Sequence, residues 1–135
     1  MSRVLAIDYG EKRVGIAVSD PLCILANPVA CLANDPNLVP TLQSYVTDYA
    51  LSKIILGLPL KLDGTDTAKT VEVRTFGQQL ETQVDVPIEL RDERFTTVAV
   101  NRTLDLTSLS EKKKRVNRDV MAACFLLQGY LDSLT

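Results

Sequence analysis

Hydrophobic positions change period several times along this chain. Val4 to Ile7 and Val14 to Val18 are short apolar runs separated by Asp8-Tyr9-Gly10-Glu11-Lys12. That pattern predicts two strands, Arg3 to Asp8 and Arg13 to Ser19, joined antiparallel by a hairpin-sized link. A third run around Cys23 to Leu32 contains Pro28, so it is expected to bend or to lie at a sheet edge. From Pro36 onward Leu38, Val39, Leu42, Tyr45, Val46 and Tyr49 recur at helical spacing, which predicts an amphipathic helix over Asn37 to Leu51. Asn34 and Asp35 are expected to cap it, with Pro36 in the first turn. Lys53 to Leu58 is an unbroken apolar run after a helix, the mark of a parallel strand buried on both faces.

A loop over Pro59 to Asp66 follows. Thr67 to Gln83 then reads as a second helix with Val71, Phe76 and Leu80 inward, and Val86 to Leu90 as the next strand. Thr96-Thr97 is expected to open a helix through about Leu106, and Thr107 to Arg115 to form a polar loop. The last helix is predicted over Asn117 to Leu134, with Val120, Ala123, Cys124, Leu127, Tyr130 and Leu131 as its apolar stripe. The order β-β-β-α-β-α-β-α-α predicts an α/β fold, a mixed sheet with helices on both faces.

Composition narrows the picture. A chain of 135 residues with 46% hydrophobic and 24% charged content suits a single domain over 1–135 with one core. No apolar stretch approaches the roughly 18 residues of a membrane span, and Met1-Ser2-Arg3-Val4 opens no signal-peptide apolar region, so a cytoplasmic protein without a membrane partner is expected. Cys23, Cys31 and Cys124 are odd in number, have no C-x-x-C spacing and sit in apolar surroundings, which predicts buried free thiols. Histidine is absent. Triads and zinc sites built on it are therefore excluded, and chemistry must run on carboxylates, Lys, Arg, hydroxyls or a hard cation. A net charge of -2 and a pI near 5.1 argue against a protein that coats nucleic acid over its whole surface, while leaving room for a local basic patch.

Acidic residues fall at three element ends. Asp8 ends the first strand, Asp92-Glu93 follows the last strand, and Asp119 lies in the first turn of the last helix. In open α/β sheets the site forms outside the carboxyl ends of the strands. If the first and last strands run parallel there, the acids converge, and all-oxygen ligation selects Mg²⁺ or Mn²⁺. Each residue also has an ordinary explanation: Asp8 as a turn cap, Asp119 as a partner for the helix dipole, Asp92 to Arg94 as a solvated strand end. The shared placement at three strategic ends favours a site. Periodicity leaves open whether Asp92 or Glu93 points inward, because neighbours on a strand face opposite sides. Lys12 and Arg13 are candidates for phosphate contact or plain hairpin-tip residues. The run Lys112, Lys113, Lys114 and Arg115, placed just before Asp119, reads as a solvated face or a phosphate clamp. Gly57, Pro59 and Gly64 read as loop geometry, with Gly64 suited to φ > 0.

Four blocks, taken in order, carry a resemblance: Asp8 to Asp20, Gly57-Leu58-Pro59-Leu60 with Asp63-Gly64-Thr65, Asp92-Glu93-Arg94-Phe95-Thr96-Thr97, and Asp119-Val120-Met121-Ala122-Ala123. They resemble, over nearly the whole chain, the bacterial YqgF family, also called RuvX, of Holliday junction resolvase-like proteins associated with pre-16S rRNA processing. Lys61 stands where that pattern commonly has Asn. The resemblance implies an RNase H-like fold with a five-stranded mixed sheet of order 3-2-1-4-5, the first three strands antiparallel. It also implies Asp8, Glu93 and Asp119 as catalytic metal ligands for Mg²⁺ or Mn²⁺; Asp92 is then expected to orient Arg94 or to cap the helix that Thr96-Thr97 opens. Substrate contacts are then expected from Lys12, Arg13, Arg94 and the 112–115 run.

The function so implied is a metal-dependent nuclease acting on structured nucleic acid, chiefly in trimming the 5′ end of pre-16S rRNA, with a small-subunit precursor as partner and a monomeric or homodimeric state. Resolution of branched DNA would use the same acids. Two other readings stand beside it. Asp8-Tyr9-Gly10 also satisfies the short motif by which actin-type ATP-binding switches hold phosphates, although one copy without a repeat supplies half such a site. A ribosome-assembly factor without catalysis is the third, against which the three intact acids count.

Overall fold

The two apolar runs at the amino terminus form the antiparallel pair β1 (Arg3–Tyr9) and β2 (Arg13–Ser19), with Leu5 opposite Val18, Ile7 opposite Ile16 and Asp8 opposite Gly15. The structure, a computed structural model, describes residues 2–93 and 111–134, the side chains of 111–117 excepted. The predicted helix at 96–106 and Arg94 lie outside the described residues.

Strand β3 (Ala26–Ala33) pairs with β2 and forms one edge of the sheet. Its register shifts between Ile16 and Ala17, where Pro28, lacking an N–H, faces Ala17. The proline is thus placed at an edge and at an irregularity, as expected. Two further strands, β4 (Leu51–Leu58) and β5 (Ile88–Asp92), add parallel to β1 in the order β3-β2-β1-β4-β5. The predicted topology is therefore observed.

Helices α1 (Leu38–Asp48) and α2 (Ala68–Glu81) cover one face, and the long helix α3 (Glu111–Asp132) covers the other. Against α1 and α2 pack Leu5, Ile7, Ile16, Ile54 and Leu56; against α3 pack Val4, Ala6, Ala17 and Ile55. Neighbouring strand positions thus feed two separate cores, and each large side chain so buried contributes roughly 1.5–3 kcal/mol.

Several expectations need correction. Helix α1 ends at Asp48, and Leu51 instead opens β4, because Ala50 takes a left-handed conformation (φ 51) that stops the helix. Its cap residue is Asn37 without a side-chain cap bond; the Asp35 carboxylate accepts the Asn37 N–H at 2.8 Å, and Asn34 is drawn away to donate to the Gly10 carbonyl. In α2 the inward residue is Val73, whereas Val71 is 55% exposed. The two differ by two positions, about 200° around a helix. The 112–115 run is helical rather than a loop, since α3 begins at Glu111. That stretch holds good helix formers and no Gly or Pro to delay the start. The cysteines are free as expected, but half-buried rather than buried.

Candidate active site

Strand parity decides which acids meet. On β1 the even positions Val4 and Ala6 face α3, so Asp8 projects to that same side. On β5 Glu89 and Arg91 reach the same side, where Lys53 bonds Glu89 at 3.1 Å and Arg91 lies over the Tyr130 ring of α3. Glu93 continues that alternation just past the strand, with its N–H donating to the Leu58 carbonyl at 3.2 Å. Glu93 is buried at 8% exposure, whereas Asp92, opposite Leu58, is exposed. The ambiguity between Asp92 and Glu93 is thereby resolved in favour of Glu93.

Asp8 and Glu93 share a side-chain hydrogen bond. Burial is the main reason the Glu93 carboxyl is pushed up to about 8, with the Asp8 charge next. Burial likewise raises Asp8, to about 6. Burial and the mutual charge raise both carboxyls, so the hydrogen bond between them is made by a proton that the pair holds in common. Lys69, exposed in the first turn of α2, offsets part of the rise in both groups.

Room for this pair comes from Gly57 on β4. A Cβ there would lie 2.5 Å from Glu93 Oε2 and 3.0 Å from Leu126 Cδ2. Gly15 on β2 does the same for the opposite wall: a Cβ would run into the Asp119 carbonyl, so α3 rests directly on the strand backbone. That contact holds Asp119 beside the pair, close enough for its charge to raise Asp8. The Asp119 carboxylate is itself engaged, accepting from Arg13 Nε at 2.8 Å and lying 3.9 Å from Cys31 Sγ.

Of the predicted residues, Asp8 and Glu93 are joined directly, and Asp119, paired with Arg13, flanks Asp8. Lys12 is exposed at the hairpin tip. Among the described residues no three acidic or thiol side chains lie close enough to enclose a cation as they stand. Gly64 has φ 87, as its turn requires.

Sequence reading missed Lys69. The available signal was its placement at the start of α2, where the helix dipole disfavours a cation, directly after the loop that leaves β4. That start is fixed by a reciprocal cap between Thr67 and Thr70 and by the Thr70 hydroxyl, which donates to the Pro59 carbonyl.

Known proteins resemble this chain over nearly its whole length. A protein of Dictyoglomus turgidum named "Putative pre-16S rRNA nuclease" is 37% identical over 135 residues, covering 98% of this chain and 96% of that protein. One of the same name from Maridesulfovibrio salexigens is 39% identical over 131 residues, covering 96% and 97%. Among solved structures, the Fowlpox virus resolvase in complex with Holliday junction DNA superimposes with a TM-score of 0.59 at 14% identity, covering 98% of each chain. Thermus thermophilus RuvC in complex with a Holliday junction substrate gives 0.58 at 11%, covering 99% of this chain and 96% of that one. These structural likenesses establish the RNase H-like fold. The family model described as RuvX, Holliday junction resolvase, matches residues 2–133, and the chain belongs to that family.

Proposed function

We propose that this chain is a single-domain nuclease over 1–135 that hydrolyses phosphodiester bonds in structured nucleic acid, with the 5′ region of pre-16S rRNA as its substrate. The observation that carries this reading is the proton-sharing Asp8–Glu93 pair beside Asp119 at the carboxyl edge of β1 and β5. Membership of the RuvX family favours it over an ATP-binding switch or a silent assembly factor.

The donors fit Mg²⁺ or Mn²⁺: they are oxygens throughout, and two buried carboxyls this close ionise together only when a cation faces them. Asp8 and Glu93 would hold the cation, with Asp119 joining by exchanging its bond to Arg13. When bound, the cation lowers the pKa of water and neutralises charge at the leaving oxygen. Asp8 is held by β1 and Glu93 by the bond of its N–H to the Leu58 carbonyl, so the two acids would orient the attack from fixed backbone positions. Lys12 and Lys69 supply positive charge on the approach, where a phosphate backbone needs it, and need no base readout to do so.

The test is cleavage of a labelled precursor RNA spanning the 16S 5′ end, beside a four-way DNA junction, with Mg²⁺, Mn²⁺ or chelator, in wild type, Asp8→Asn and Glu93→Gln. Metal-dependent cutting of the RNA that both variants lose is the expected result. Preferred cutting of the junction would move the substrate to branched DNA. A folded protein that cuts neither would overturn the nuclease reading.

A further inference from the structure

On the face of the sheet opposite the acids, one residue beyond Asp8, lies a cleft of about 360 Å³ between the hairpin and α2. Its floor is the half-buried Tyr9, whose ring stacks on the buried Phe76 with centroids 4.1 Å apart and planes 25° from parallel. Its rim carries Val71, Glu11, Glu72 and Asn34. Val71 breaks the inward pattern of α2 and stands 55% exposed there, an apolar side chain left in water beside an aromatic floor.

The volume falls at the small end of the range, about 300–1,000 Å³, of small-molecule sites. Thr75 and Gln79 also line the cleft, with Gln79 able to donate as well as accept, while the rim carries the acceptors. Glu11 and Glu72 are carboxylates, and Asn34, one of whose two amide N–H bonds goes to the Gly10 carbonyl at 2.8 Å, keeps its Oδ1 to accept. Carboxylates at the rim repel phosphate but accept N–H donors from a heterocycle. An aromatic floor with acceptors above it matches an unpaired nucleobase, and the adjacent N1–H and N2–H₂ donors of guanine match one carboxylate best.

Position supports the same occupant. Helix α2 carries Lys69, which acts electrostatically on the acid pair, at its first turn. The same helix carries Val71, Glu72 and Phe76 immediately afterwards. A strand whose phosphate lies at Asp8 and Glu93 and passes Lys69 can therefore turn a neighbouring base over the end of β1 into the cleft.

We infer that the Tyr9–Phe76 cleft is a base-binding subsite that takes one unpaired nucleobase, guanine in preference, next to the cleaved phosphate. The inference rests on the nuclease reading for the source of the base, but binding can be measured without cleavage. The probes are guanosine, adenosine, cytidine and uridine, added to ¹⁵N-labelled full-length protein and followed by amide chemical shifts. Guanosine is expected to shift Tyr9, Val71, Glu72 and Phe76 selectively, and Val71→Asp, which replaces an apolar wall at an exposed position with a charge, to weaken that binding roughly tenfold. Glu72→Gln is expected to reduce the preference for guanosine over adenosine.

A second arm keeps the two readings separate: an RNA substrate with an abasic residue beside its cleavage site should show a raised KM with the protein still able to cut. Cleavage that proceeds with unchanged KM on abasic RNA, or nucleosides at millimolar concentration that leave the cleft amides unmoved, would overturn the subsite while leaving the nuclease intact. Nucleoside shifts that are identical in wild type and Val71→Asp would place binding elsewhere and overturn it equally.

Discussion

Arg13 Nε lies 2.8 Å from Asp119 Oδ2, so the acid contributed by α3 is bound to the first residue of β2. The ion pair holds Asp119 next to Asp8 but also competes with any cation for the same oxygen. Arg13→Gln should therefore leave the protein folded and bind Mn²⁺ several-fold more tightly, measured by titration calorimetry. An unchanged affinity would show that Asp119 is not among the ligands.

The acid pair makes stability depend on pH. Folded carboxyls at about 8 for Glu93 and about 6 for Asp8 lie above their ordinary values of 4.5 and 3.8. The folded state thus holds protons that the unfolded state releases, and stability falls as pH climbs from about 4 toward 8. Metal-free protein should lose stability steadily across that window in chemical denaturation. Glu93→Gln should flatten the profile and unfold later than wild type at pH 8, while abolishing cleavage. A wild-type profile that rises with pH would contradict the shared-proton arrangement.

Proton release follows from the same pair. Mg²⁺ binding near pH 7 should expel a proton from the pair, seen as a binding enthalpy that varies with the ionisation enthalpy of the buffer. Asp8→Asn, which removes the charge that Glu93 faces, should reduce that release together with the affinity.

The two glycines behind the site should fail differently. At Gly57 the added Cβ meets the mobile end of Glu93, so Gly57→Ala should cost a modest ~1–3 kcal/mol and displace the carboxylate, lowering cleavage at least about a hundredfold. At Gly15 the obstacle is the α3 backbone at Asp119, which has no side-chain torsion with which to yield. Gly15→Ala should lower the melting temperature far more than Gly57→Ala does.

Much of this was legible from the residues. The change from period two to period 3.6 located the hairpin and α1, and the unbroken run at Lys53 to Leu58 marked a central parallel strand, because burial on both faces removes any need for polar alternation. Asp8 stood out as a charge between two core runs. The family resemblance already favoured Glu93 over Asp92, but strand periodicity could not, because the side each faces is set by the register of β5 against β4. Val71 was misplaced because an apolar residue at helical spacing reads as core unless the facing surface is known. The Arg13–Asp119 pair and Lys69 depend on contacts between elements distant in sequence, so charge alone could not assign their partners.

The mixed direction of the sheet also sets an order of assembly. β1 and β2 meet through a short link, whereas β4 and β5 must each close a much longer stretch of chain before they pair in parallel. Local pairing is kinetically cheap and long-range parallel pairing is slow. A nascent chain therefore presents Asp8 well before Glu93 reaches it, and the acid pair comes into being only with the last strand. If the pair is the cutting centre proposed above, no chain that lacks β5 in its place can carry that activity.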